Sequence, residues 1–373
     1  MSSSVRLVIV DDIARAYDFG SSHPLRPERV LLTYDHIRDL GLIDLPVVQE
    51  VGARVATDKE IEAVHAPEFV ATVKGIDAGE LGTRDGLQYG LGTPDDPIFK
   101  GMHTASAAVC GASLVAAELV ARGDAQRAFN PAGGLHHARR AEASGFCIYN
   151  DPAVAIAKIL DLRPDWRVMY VDVDVHHGDG VQWIFYDEPR VLTLSLHQSG
   201  RYLYPGTGFE DEVGNAQARG TSANIPLLPY TGTDDYLMAL ERCLFGLAEA
   251  FRPHVIVTQL GADTHWGDPL ANLGLTMAAY PRMARLLHDA TNRYCEGRWV
   301  ATGGGGYQFD TVVPKVWTIH FAQMCGAPDR IPEEWLTDRA SEDVSRSYTA
   351  EVDSSVRRVL DECLPRISSL VAS

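Results

Sequence analysis

The run at 171–180, VDVDVHHGDG, constrains the fold more than any other stretch of the chain. Asp172, Asp174 and His176 are spaced two apart, so an extended strand sets all three on one face and turns Val171, Val173 and Val175 to the other. The flanks are apolar, VMYV before and VQWIF after. Burying two carboxylates and an imidazole there would cost several kcal/mol unless something cationic compensates. A divalent metal is the simplest compensation. The alternative, a strand end with solvated acids and a turn at Gly178 and Gly180, fits the apolar flanks poorly.

Several other short apolar runs read as buried parallel strands: 5–10, 127–130, 167–175, 191–196, 255–260 and 299–302. Stretches of helical period lie between them, at 103–122, 151–160, 234–251 and 280–294. Strands alternating with such helices predict an α/β fold with three α/β/α layers and a mostly parallel central sheet. No repeat or linker divides residues 1–373, so one domain is expected, with 332–373 as a packed helical extension strongest at 352–364. Two long glycine-rich loops, 77–102 and 200–220, are long enough to be functional.

With 50 acidic against 33 basic residues the net charge is -17, which disfavours nucleic acid as a partner. No run approaches the roughly 20 apolar residues of a membrane span, and the N-terminal MSSSVRLVIVDD lacks the length of a signal peptide. The six cysteines, Cys110, Cys147, Cys243, Cys295, Cys325 and Cys363, are scattered without a C-x-x-C pair. That pattern suits reduced thiols in the cytoplasm. Cys110, Cys243 and Cys295 read as core, and a catalytic role for Cys147 is unnecessary if a metal is present.

Four segments, each after an expected strand, carry chemistry. In Gly133-Gly134-Leu135-His136-His137 the adjacent imidazoles of a regular element would point apart, so they read as proton-handling groups rather than paired ligands. In the second segment Asp174 and His176 are the evident ligand pair, Asp172 and Asp179 are acids that could orient imidazoles, and His177 reads as structural. In the third, a strand ends in Asp263, which alone could equally be a turn residue. In the fourth, four consecutive glycines, 303–306, precede Tyr307. Such a run is entropically unfavourable unless backbone must approach a ligand closely, and the phenol could donate to a developing oxyanion.

Together these segments resemble the histone deacetylase and arginase-deacetylase superfamily. The matching motifs are GLHHA (134–138), SGFCIYND (144–151), DVDVHHGDG (172–180), TLSLH (193–197), YPGTG (204–208), GAD (261–263) and GGGGY (303–307). They occur in family order over about residues 17 to 320 and are most similar to bacterial acetoin-utilization-type deacetylases, relatives of the class I enzymes. The chain departs from class I at Ile148-Tyr149, where the aromatic usually comes first, and at His265-Trp266, which place an imidazole and an indole near the expected pocket rim.

The resemblance implies that Asp174, His176 and Asp263 hold a catalytic zinc or iron(II), between which such ligands do not discriminate. It implies His137 as general base oriented by Asp179, His136 paired with Asp172 as an electrostatic helper, and Tyr307 as donor to the substrate carbonyl. Phe146 and Tyr204 would wall a narrow tunnel for a lysine-like stem, with Gly145, Gly305 and Leu270 also against the substrate and Asp95 as the rim acid that receives peptide amides. Asp172, Asp174, His176, Ser195 and Leu196 would form a structural potassium site.

The implied activity is metal-dependent removal of acetyl groups from N-acetyl-lysine side chains of proteins or peptides. An acetylpolyamine or other small N-acetyl-amine amidohydrolase is the nearest alternative, although Leu270 stands where polyamine-selective relatives tend to have glutamate. A binding module without catalysis would be expected to have lost His137, Tyr307 or a ligand, and none is lost. An arginase-like binuclear site would need more ligands. No membrane partner is expected, and the sequence sets no oligomeric state.

Overall fold

The computed structural model describes residues 4–10, 16–338 and 344–372. Asp11 and Asp12, which follow the first apolar run, lie outside these, as do residues 339–343 of the expected C-terminal extension.

Eight strands form one sheet: β1 (Val5–Ile9), β2 (Val48–Gly52), β3 (Arg127–Asn130), β4 (Val168–Asp172), β5 (Val191–Gln198), β6 (Ser222–Leu227), β7 (Val255–Gln259) and β8 (Trp299–Thr302). Their order is β2-β1-β3-β8-β7-β4-β5-β6, and every pairing is parallel. Every residue of β3, β4, β5, β7 and β8 is buried, as parallel strands covered on both faces require.

The longer helices are α1 (Glu28–Asp39), α2 (Pro67–Asp77), α3 (Met102–Arg122), α4 (Asp151–Leu162), α5 (Thr233–Phe251), α6 (Ala279–Cys295), α7 (Val313–Met324) and α8 (Thr349–Ala372). α3 packs on β1, β3 and β8 beside α4, which reaches β4 and β7, while α5, α6, α7 and α1 pack side by side in a second layer. By length and composition α3 could cross a membrane, contrary to the expectation that no segment could. However, 78% of its most apolar window is buried inside this fold, which makes it a core helix. α8 lays Val352, Val356, Val359, Cys363 and Ile367 against α5 and β6, the spacing of an amphipathic helix.

Two strands escape sequence patterning. β2 is an edge strand whose residues are only partly buried or exposed, and β6 carries Ser222, Asn224 and Pro226, proline being tolerated at a sheet edge. β4 is also shorter than its apolar run predicts, stopping at Asp172 rather than Val175. Side-chain carboxylates capture the amides beyond it. Asp174 N–H donates to Asp172 Oδ1 (3.1 Å), Val175 N–H to Asp263 Oδ1 (2.9 Å) and His176 N–H to Asp174 Oδ1 (3.0 Å). Such Asx-type bonds compete with the strand ladder and bend the chain out of it.

The chain leaves β3 and skips two strand positions to reach β4, then returns to fill the gap with β7 and β8. The carboxyl ends of these four central strands therefore lie side by side where the connection order reverses, the place at which open α/β sheets bind ligands. The four glycine-, histidine- and aspartate-bearing segments follow these four strands.

Candidate active site

The loop after β3 carries both histidines, and it is held from below by a buried acid. Asp151, at the first turn of α4, accepts the N–H groups of Gly134 (3.0 Å) and Leu135 (2.8 Å) and the hydroxyl of Ser113 (2.5 Å). A Cβ at Gly134 would lie 2.3 Å from the carbonyl oxygen of Gly303, so the second glycine of this loop lets it touch the four-glycine segment.

The two imidazoles do not point apart as neighbours on a regular element would. Their Nε2 atoms are 3.1 Å apart, because the irregular backbone lets each ring be fixed from behind by its own carboxylate. His136 Nδ1 donates to Asp172 Oδ2 at 2.7 Å, and His137 Nδ1 donates to Asp179 Oδ1 at 2.7 Å. The electrostatics of the two rings diverge. Burial lowers both, but Asp172 and Asp174 outweigh it at His136 and raise that ring to about 9. At His137 burial and the charge of His136 prevail and hold it at about 4. Asp179 stays ionised: burial raises it, but His137 and Arg139 pull it down to about 2. With Nδ1 donating to Asp179, the Nε2 lone pair of His137 faces the centre beside His136 Nε2.

Beyond β4, Asp174 and His176 meet Asp263 from the end of β7. One donor atom from each, all buried, lies within 4.8 Å of the others. His176 Nδ1 is 3.0 Å from Asp174 Oδ1 and 3.2 Å from Asp263 Oδ2. Ligands of one tetrahedral ion at about 2.0–2.1 Å stand roughly 3.3 Å from one another, so the spacing suits a single cation. The charges point the same way. Burial and the neighbouring Asp174 push Asp263 up to about 8, the mark of two buried carboxylates that need a positive partner. Gln259 donates from Nε2 to Asp174 Oδ2 at 2.6 Å and Gly305 N–H donates to the same oxygen at 2.7 Å, orienting the carboxylate from behind.

Above this centre is a tunnel of about 210 Å3 lined by Asp95, His137, Gly145, Phe146, His176, Leu203, Tyr204, Leu270 and Tyr307. The Phe146 and Tyr307 rings meet edge to face at 5.8 Å, and Tyr204 closes on His137 at 5.1 Å. The Tyr204 hydroxyl also shares a short hydrogen bond with Ser144. Phe146 has φ +68, and its ring packs against His23 at 4.5 Å. The tunnel narrows to a space of about 20 Å3 at its floor, bounded by Arg29, Gly304 and Cys147 among others. Tyr307 is held neutral, its phenol pushed well up by burial and by Asp263 and Asp174. Its N–H donates to Asp268 Oδ2 at 2.9 Å.

Most of the residues singled out from the sequence gather here, including exposed Asp95 at the mouth and Leu270 beside it. Ser195 and Asp172 are register partners across β4 and β5, and Leu196 offers its carbonyl to Tyr236 at 3.5 Å. His177 is structural as expected, bonding Thr207 and Gln182. Cys147 is buried with its thiol pushed well up by burial, and all six cysteines are free and buried. His265 departs from expectation. It is only 3% exposed and is bonded to Gln308 and Asp338 rather than lining the tunnel mouth.

Arg29, Gln259 and Asp268 were not expected as parts of the site. Arg29 is buried and donates to the carbonyls of Gly304 (2.7 Å) and Gly306 (3.3 Å). A single arginine at the start of an amphipathic helix gives no local sign that it crosses 275 residues of sequence to do so. Gln259 lies four residues before Asp263, and its polarity at the end of an apolar strand was the available signal.

Comparisons with known proteins cover most of the chain. A model of the histone deacetylase domain matches residues 23–324. The acetoin utilization protein AcuC of Bacillus subtilis (strain 168) is 44% identical over 324 residues, 86% of this chain and 83% of the relative. AcuC of Staphylococcus xylosus is 33% identical over the same shares. A solved HDAC homolog complexed with SAHA is similar in fold with a TM-score of 0.81 at 28% identity, covering 96% of this chain and 100% of its own.

Proposed function

The chain belongs to the histone deacetylase family, and from that premise we propose that it removes acetyl groups from N-acetyl-lysine side chains of proteins or peptides, with zinc or iron(II) at Asp174, His176 and Asp263. The observation that carries this is the convergence, at the floor of one narrow tunnel, of the three-ligand cluster, the His137–Asp179 pair and the neutral Tyr307. When bound, the ion supplies Lewis acidity toward the amide carbonyl and toward water.

The chain's own residues do the rest. His137, its Nδ1 tied to Asp179, takes a proton from the attacking water on Nε2 and delivers it to the departing amine. Tyr307 keeps its proton and donates it as a hydrogen bond where charge develops on the carbonyl oxygen. His136, bonded to Asp172, adds positive charge beside the base. Phe146 and Tyr204 flank the methylene stem, Gly145, Gly305 and Leu270 complete its contacts, and Asp95 receives the backbone amides of a peptide at the mouth. Asp172, Asp174, His176, Ser195 and Leu196 would hold a structural potassium ion through side-chain and backbone oxygen atoms.

The reading includes a cytoplasmic protein, in keeping with six free, buried cysteines, and neither nucleic acid nor membrane as partner. A small acetylated amine is the second reading, and Leu270, an apolar group at the mouth, favours the lysine side chain over a polyamine. The test is a panel of acetyl-lysine peptides, free acetyl-lysine, acetylpolyamines and longer acyl-lysines with zinc or iron(II) loaded. The highest kcat/KM is expected on acetyl-lysine peptides. A preference for acetylpolyamines would select the second reading, and hydrolysis of none would refute both.

A further inference from the structure

The turn that follows Asp263 does more than end β7. Within it Asp268 accepts the N–H of Tyr307 at 2.9 Å, and the His265 ring reaches the next residue, with Nδ1 2.9 Å from Gln308 Oε1. Gly267 N–H donates to the same Nδ1 at 3.2 Å. A Cβ at Gly267 would lie 2.8 Å from the Gln308 amide, so that side chain rests directly on the turn. The Gln308 carbonyl in turn receives the N–H groups of Val312 (3.1 Å) and Val313 (3.2 Å), which fixes it to the start of α7. On its far side His265 Nε2 is 3.2 Å from Asp338 Oδ1, and the other oxygen of Asp338 accepts Met277 N–H.

We propose that His265 is a positioning residue for Tyr307, passing the hold of Asp338 through Gln308 to the segment that carries the phenol. The hydrogen bonds define how. The Nδ1 edge of the ring meets Gln308 Oε1 and the Gly267 N–H, and its Nε2 edge meets the Asp338 carboxylate, so the ring bridges the turn, residue 308 and Asp338. Consecutive residues 307 and 308 are thereby pinned to one turn from two sides, and the pin at 308 is braced by a residue 73 positions beyond His265 in sequence. A phenol that must meet developing charge at hydrogen-bond distance is sensitive to small displacements, about a hundredfold in rate for 1 Å. Loss of one of two pins costs on the order of tenfold by the same scale.

This inference rests on Tyr307 as the carbonyl donor, and a double-mutant cycle separates the two claims. His265→Ala, Tyr307→Phe and the double variant are assayed with zinc on an acetyl-lysine peptide. His265→Ala is expected to lower kcat on the order of tenfold with little change in KM. The double variant should be no slower than Tyr307→Phe alone. Asp338→Asn, which leaves the imidazole in place, should reproduce a smaller part of the loss. In the metal-free chain, amide hydrogen exchange over 303–308 should quicken in His265→Ala while 299–302 stays protected.

Additive losses in the double variant would overturn the positioning role while leaving Tyr307 as donor. Unchanged kcat in His265→Ala, or loss of exchange protection throughout the sheet, would overturn it as well. Near wild-type turnover in Tyr307→Phe would instead remove the premise from Proposed function.

Discussion

Replacing Gly305 by alanine tests whether the four-glycine segment exists to let backbone reach the ligand carboxylates. A Cβ at this position would lie 2.1 Å from Asp263 Oδ2 and 2.7 Å from Asp174 Oδ2. Ordinary contact begins near 3.4 Å, so the Asp263 oxygen must retreat by about 1.3 Å, several times the roughly 0.2 Å within which metal–ligand distances hold. Both carboxylates are buried against packed strand ends and cannot swing freely. Disturbing groups that merely orient ligands costs about 10–100-fold in metal affinity, and moving a ligand itself should cost on the order of a hundredfold or more. No ligand is removed, so the effect isolates geometry. The assay is competition of zinc between the protein and a chelator of known affinity, followed by metal analysis. Gly52→Ala, whose Cβ meets nothing within 4 Å, is the control. A Gly305→Ala chain that binds zinc as tightly as the parent would refute the close-approach argument.

Tyr307→Phe removes one hydroxyl that has no protein hydrogen-bond partner among the described residues, so zinc content and thermal midpoint should hold while kcat falls on the order of a hundredfold; steady-state kinetics beside metal analysis checks it. Zinc at about 100 times its Kd should raise stability by about 2.7 kcal/mol, seen as a higher urea midpoint, and Asp174→Ala with Asp263→Ala should abolish the increment. Acidification should destabilise the fold through buried neutral histidines. His65 donates Nδ1–H to Arg139 O and accepts Asn150 N–H at Nε2, both at 2.9 Å, and burial holds it at about 4. Both ring nitrogens of buried His320 lack partners among the described residues, and burial holds it at about 3. Below pH 6.5 the unfolded chain binds these protons and the folded chain does not, so stability falls with pH, by about 2 kcal/mol per histidine between pH 7 and 5. Groups raised in the fold, such as Asp263 and His136, oppose this over the same interval, so the check is the difference between variant and parent: the unfolding free energy of His320→Leu relative to the parent should shift by about 2 kcal/mol from pH 7 to 5, and a difference that stays constant would contradict the reasoning.

Local pattern alone determined the elements that are buried on both faces and the chemistry that follows them. β3 and β8 run over the residues their apolar runs predict, because a covered parallel strand has no solvent side to dilute its hydrophobicity. The candidate pair Asp174 and His176, which the fold brings to Asp263, was legible for the converse reason, that charge inside an apolar run demands a partner. Edge strands β2 and β6 stayed hidden because half-exposed or proline-bearing strands carry no such signal. Only the tertiary structure decided where β4 ends, since the amides beyond Asp172 are taken by carboxylates, one of them from Asp263, 88 residues away. It also decided that adjacent His136 and His137 converge, each held by a separate acid, and that buried His265 bonds Gln308 and Asp338. Arg29 joined the site in the same way. These are long-range hydrogen bonds between irregular segments, and sequence periodicity reports the face a residue turns to the core, not the partner it meets there.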